Sequence, residues 1–244
     1  MLGAFLVLVM AGGVLVLSGL FKSGTPLTVT NAVLVPMGGS FALTLTIDNP
    51  GGPDRLMQVS TEEGHLHLMG AMSSAGLAIP AGSAPSLAMD GAHGMLSGLG
   101  EGSDGRLVPV TLTFEVAGDV TTRARIDSAG GMSHDESYVV PEGETAPTVA
   151  LEAEPGEGGW LIRIATTDFT FDPEAVDQAH VPGTGHGHVY LNGLKLGRVY
   201  GGEFRIGALP AGTHQLRVAL NTNDHRAYAT EAGPIDATVT LTAD

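Results

Sequence analysis

From Leu27 onward this chain is interrupted too often by turn formers to build helices. Its 244 residues include 36 Gly and 14 Pro. In a helix interior each Gly costs about 1 kcal/mol and each Pro about 3 kcal/mol relative to Ala. Between these breakers, apolar and polar residues alternate in short runs, the pattern of strands with one buried face. Leu27–Val33, Phe41–Ile47, Leu56–Ser60, His65–Leu68, Val108–Val116 and Thr121–Ile126 read as strands. Thr148–Glu152, Trp160–Thr166, His188–Leu191, Lys195–Val199, His214–Leu220 and Ala237–Leu241 continue the pattern. Asn192-Gly193 is a strong hairpin signal between two of them. The expected fold is therefore all-β, with two β-sandwich or barrel domains over residues 27–127 and 148–244. A polar stretch rich in Gly, Pro and Glu, residues 128–147, reads as the linker.

Residues 1–22 differ in kind. The run MLGAFLVLVMAGGVLVLSGLF is apolar throughout and ends at Lys22. About 20 apolar residues can span a bilayer, and such a run also fits a secretory segment. It has no basic start and no Cys for lipid attachment, which favours an N-terminal transmembrane anchor over a cleaved signal. Either reading puts the remaining chain on the periplasmic or extracellular face, anchored or secreted.

Composition then removes whole classes of function. With 26 acidic against 11 basic side chains the net charge is −15, the wrong sign for nucleic acid. Zero Cys excludes disulfides, thiolate-bound zinc, iron–sulfur clusters and thiol nucleophiles. No phosphate loop, Gly-x-Ser-x-Gly elbow or His-Glu-x-x-His motif is present. The chain is expected to bind rather than catalyse, and any soft-metal chemistry must use Met and His.

Those residues are clustered. Gly64-His65-Leu66-His67-Leu68-Met69 places His65, His67 and Met69 on one face of a strand, with Leu66 and Leu68 on the other. Met72 follows, and Gly91-Ala92-His93-Gly94-Met95 supplies a second same-face pair, His93 and Met95. Neutral imidazole and thioether donors suit Cu(I), whereas Ca²⁺ and Mg²⁺ prefer oxygen. The glycines around His93 and Met95 would let backbone approach closely around an ion. A solvated His-x-His face with Met as core filler is the competing reading.

Residues 40–126 also resemble the PCuAC periplasmic copper chaperones. The resemblance rests on Thr46-Ile47-Asp48-Asn49, Asp54-Arg55-Leu56, Ile79-Pro80-Ala81-Gly82, His93-Gly94-Met95-Leu96 with Gly98-Leu99, and Val108-Pro109-Val110-Thr111-Leu112-Thr113-Phe114. It implies a cupredoxin-like barrel holding Cu(I) with two His and two Met. It also implies a copper-accepting partner such as a respiratory oxidase subunit. By this resemblance the ligands are His67, Met72, His93 and Met95. His65 and Met69 are alternatives, because only four residues separate His67 from Met72, fewer than in the family.

The second domain carries five of the nine histidines: His180, His186, His188, His214 and His225. His186 and His188 share a strand face. A sulfur-free, imidazole-rich set suits Cu(II) or Zn(II), so a second metal site, with Cu(II) as its expected ion, is a candidate. A hydrogen-bonded structural cluster is the alternative. The function expected from the sequence is an extracytoplasmic copper chaperone. Copper sequestration and a β-sandwich adhesion or assembly module are the alternatives.

Overall fold

The computed structural model describes residues 26–72, 75–100, 102–128 and 137–244. The expected membrane segment, 1–22, lies outside them. No helix among the described residues is long and apolar enough to cross a membrane. The helical element described is a single short turn, Pro173–Ala175.

The first half supplies β1 (Thr28–Met37), β2 (Ser40–Asp48), β3 (Asp54–Ser60), β4 (His65–Met69), β5 (Leu77–Ile79), β6 (Ser86–Leu87), β7 (His93–Ser97), β8 (Leu107–Phe114) and β9 (Gly118–Ile126). The second begins with β10 (Tyr138–Val139), β11 (Thr148–Gly156), β12 (Gly159–Thr167), β13 (Thr170–Phe171), β14 (Thr184–Leu191) and β15 (Leu194–Val199). It continues with β16 (Glu203–Gly207), β17 (Gly212–Asn221), β18 (Tyr228–Thr230), β19 (Gly233–Pro234) and β20 (Asp236–Ala243). The all-β expectation holds.

Alternation explains which residues go inside. In β2 and β8 every second side chain is buried, and Leu43, Leu45, Ile47, Val108, Val110 and Leu112 meet in one core. Leu34, Leu56, Leu96 and Ile126 complete it. A separate core gathers Ile162, Val189, Leu191, Leu216, Val218 and Leu241 in the second half. Full burial of one such side chain is worth about 1.5–3 kcal/mol, so each half holds itself together largely by its own interior.

The two halves are nevertheless tied. The backbone ladder runs from β14 through β15 to β6 and on to β2, joined where Lys195 pairs with Ser86. Ala78 of β5 packs into the second core, and Leu194 of β15 packs into the first. Backbone hydrogen bonds cross as well: Ala81 N–H to Ala208 O at 2.9 Å, Ala92 N–H to Gly193 O at 2.7 Å, and Met72 N–H to Asn192 O at 3.1 Å. Gly207 allows the first of these contacts, since a Cβ there would stand 2.0 Å from Ala81 O.

The β14–β15 hairpin follows its sequence signal. Asn192 (φ 50°) and Gly193 (φ 91°) both sit in the left-handed region, as a two-residue turn matched to strand twist requires. Within the stretch read as a linker, Tyr138–Val139 pairs in parallel with Tyr228–Ala229, so part of that segment is built into the second half.

Candidate metal sites

The first candidate lies on the ribbon of β4 and β7. The two strands are antiparallel, with His67 opposite Met95, Met69 opposite His93 and His65 opposite Ser97. Directly opposed residues share a face with Cβ atoms about 4.5–5.5 Å apart, and the next pair lies about 7 Å along the strand. His67, Met95, Met69 and His93 thus form the corners of one small rectangle. Burial shows which way it faces. His65, His67 and Met69 are exposed while Leu66 and Leu68 turn to the first core. On β7, Gly94 and Leu96 are buried, and His93 and Met95 are half-buried.

The tautomer of His93 is fixed by its neighbour. Its Nδ1 lies 3.0 Å from Gly91 O, which can only accept, so Nδ1 carries the proton. The lone pair is left on Nε2. Gly94 has a different role from the close approach to an ion expected of it: a Cβ there would meet Leu43 Cβ at 2.9 Å, so glycine lets β7 lie against β2. Met72 stands apart from the rectangle. It is 68% exposed, beyond the end of β4, with its backbone held to the β14–β15 turn.

The second candidate brings together three of the five expected histidines. Nitrogens of His186, His188 and His225 lie within 4.8 Å of one another. His186 Nε2 is 3.0 Å from His188 Nε2 and 3.2 Å from His225 Nδ1. His186 and His188 are buried on β14, and His225 comes in from the loop after β17. His225 adopts φ +70°, uncommon for a residue with a side chain, and its partner Asp177 adopts φ +66°. His225 Nε2 bonds the Asp177 carboxylate, which leaves Nδ1 turned to His186.

His188 is backed by the other half of the molecule. Its Nδ1 is 3.0 Å from Asp90 Oδ2, 3.2 Å from Lys195 Nζ and 3.3 Å from the Tyr190 hydroxyl. The Asp90 carboxylate can only accept, and Lys195 and Tyr190 both donate to it, so His188 Nδ1 carries a proton and donates it in a hydrogen bond to Asp90. Burial alone would raise the Asp90 pKa. The His188 hydrogen bond and the Lys195 charge outweigh it and hold the carboxyl well below its usual range. Burial pushes His186 down to about 3, helped by repulsion from His188 and His225. Burial also lowers His188, against the pull of Asp90. Neutral imidazoles are the form that binds metals.

The other two histidines are placed elsewhere, contrary to the five-residue grouping. His186 pairs with Asn221, at the end of β17 opposite His214. Seven residues of strand at about 3.3 Å each separate them, roughly 23 Å. His214 instead braces the hairpin turn: Nε2–H donates to Pro210 O (2.8 Å), and Nδ1 accepts from Asn192 Nδ2 (3.0 Å). Both nitrogens are used, which leaves no lone pair for a metal. His180 packs on Tyr138, ring centroids 4.3 Å apart, and edge-on to Tyr228 at 5.5 Å. Asp90 and Asp177 were not expected from the sequence; Asp90 lies 98 positions before His188, beyond any local motif.

A family model described as "Putative lipoprotein LpqE-like" matches residues 27–126. Residues 27–126 are thus similar to the LpqE-like family. The resemblance read from the sequence is borne out for this part of the chain. The matched segment contains β1 to β9, including the β4–β7 ribbon. Solved structures similar to it include a copper-bound PCuAC domain from PmoF2, at 23% identity and TM-score 0.38, covering 43% of this chain and 96% of that one. The apo PCuAC domain from PmoF1 is 29% identical, with TM-score 0.38 and the same two coverages. The apo PmoF2 domain is 23% identical, with TM-score 0.37, covering 45% of this chain and 96% of that one. No curated protein matches this chain.

Proposed function

We propose that this chain is an extracytoplasmic copper carrier whose LpqE-like domain holds Cu(I) on the β4–β7 ribbon and passes it to an accepting protein. The observation that carries this reading is the strand register, which sets His67 against Met95 and Met69 against His93 on one outward face. Two thioethers and two imidazoles form a soft, uncharged set matched to a monovalent soft ion. Because Met69 lies opposite His93 within the ribbon, the ligand set is His67, Met69, His93 and Met95. Met72, the ligand by family resemblance, is the alternative fourth donor from the following loop.

Exposure suits transfer. An incoming ligand can reach an outward rectangle and replace weak thioether bonds one at a time, so the ion need never be free. The proposed acceptor is a copper-binding protein of the oxidase-subunit kind, and the apolar segment 1–22 is the proposed tether to the membrane. The chain acts here by binding and not as an enzyme.

The test is a Cu(I) titration of the full chain against a chromogenic chelator. One Cu(I) should bind at the ribbon and be lost in Met95→Leu. Incubation of the loaded chain with an apo oxidase copper subunit should then move the ion without a free pool. Unchanged Cu(I) affinity in Met95→Leu would remove the proposal.

A further inference from the structure

We infer that His186, His188 and His225 form a second metal centre, for a divalent cation of the Cu(II) or Zn(II) type, built across the two halves of the chain. This centre is separate from the ribbon and does not depend on the carrier reading. Three arguments support it.

The first is spacing. An ion with metal–nitrogen bonds of about 2.0–2.1 Å in tetrahedral geometry holds its ligand nitrogens roughly 3.3 Å apart. His186 Nε2 already lies 3.0 Å and 3.2 Å from its two neighbours. The second is lone-pair direction. Asp90 accepts a hydrogen bond from His188 Nδ1–H, and Asp177 accepts one from His225 Nε2–H. Each carboxylate leaves the opposite ring nitrogen bare and turned toward His186, as outer carboxylates do at metal-bound histidines. His186 Nδ1 is buried without a hydrogen-bond partner, and the contacts of its Nε2 are with the other two imidazoles. The third is donor type. Three imidazoles without sulfur or carboxylate in direct reach favour borderline divalent ions over Ca²⁺ or Mg²⁺.

Asp90 makes the centre an inter-domain one. It lies just before β7, three residues ahead of His93, while His188 and Lys195 lie on the hairpin of the second half. Asp90 is thus a positioning residue for the centre, supplied by the domain that carries the ribbon.

The test uses the full chain, with Cu(II) and Zn(II) titrated separately. One equivalent should bind, and Cu(II) should give an electron paramagnetic resonance spectrum with three nitrogen couplings. His225→Ala changes a partly exposed loop and leaves β14 intact, so it should fold and lose the site. Asp90→Asn should weaken binding by roughly 10- to 100-fold and shift the spectrum, with Asp90→Glu recovering part of the affinity. Tight, three-nitrogen binding of Cu(II), or one equivalent of Zn(II) lost in His225→Ala, supports the centre. No saturable binding of either ion, or equal affinity in wild type and folded His225→Ala, overturns it. Cu(I) binding at the ribbon is measured independently, so the two readings fail separately.

Discussion

The β4–β7 ribbon and the β14 histidine cluster use the same side chain in opposite ways. On the ribbon, imidazoles alternate with thioethers on an outward face, and Met69 is 43% exposed. In the cluster, His186 and His188 are buried, and carboxylates from two different loops orient His188 and His225. The first arrangement can be entered by a partner's ligand. In the second, two of the three rings are buried and only His225 is partly exposed. Exposure with soft donors favours release, and burial with oriented nitrogen donors favours retention.

The largest expected effect breaks the pair cleanly. Met95→Leu together with His93→Ala should abolish Cu(I) binding at the ribbon while Cu(II) or Zn(II) binding at the cluster persists, read by chelator competition for each ion. The reverse variant, His225→Ala, should remove the divalent ion and spare Cu(I). If either change removed both ions, the sites would not be independent.

Next in size is His214→Ala, a control from the same half of the molecule. It strips Asn192 Nδ2 of its acceptor and Pro210 O of its donor, at a cost of about 2 kcal/mol in denaturant unfolding. Neither metal affinity should change. Burial lowers the His214 pKa, so the folded chain keeps it neutral while the unfolded chain takes up a proton near pH 6.5. Its contribution is therefore complete above that pH and is lost as the pH falls below it. Stability of the wild type should therefore decline on acidification, and His214→Ala should flatten part of that slope.

The smallest effect sharpens the ribbon itself. Met69→Leu should weaken Cu(I) binding more than Met72→Leu, because Met69 faces His93 across the ribbon and Met72 lies beyond the strand. Equal losses would show that the loop sulfur closes onto the ion.

Much of this was legible in the sequence because strands write their burial into alternation. Leu66 and Leu68 inward with His65, His67 and Met69 outward is visible in the text alone, and so is the Asn192-Gly193 turn. Short strands were not legible: Leu77–Ile79 and Ser86–Leu87 are too brief to show a period, and β6 is the piece that joins the halves. Ligand grouping failed where it depended on register. Counting histidines between 180 and 225 cannot tell that His214 sits at the far end of β17 from Asn221, the partner of His186. Asp90 could not have been found locally, since only the packing of one half on the other brings it to His188.

The outward ribbon, and not the histidine cluster, is proposed to carry the exchangeable Cu(I). The most direct measurement is Cu(I) affinity of the full chain and of a Met69→Leu/Met95→Leu variant, by chelator competition with sulfur coordination read from X-ray absorption. Sulfur scatterers are expected in the wild-type site and should be lost, together with the affinity, in the variant. An all-nitrogen Cu(I) site with unchanged affinity in that variant would contradict it.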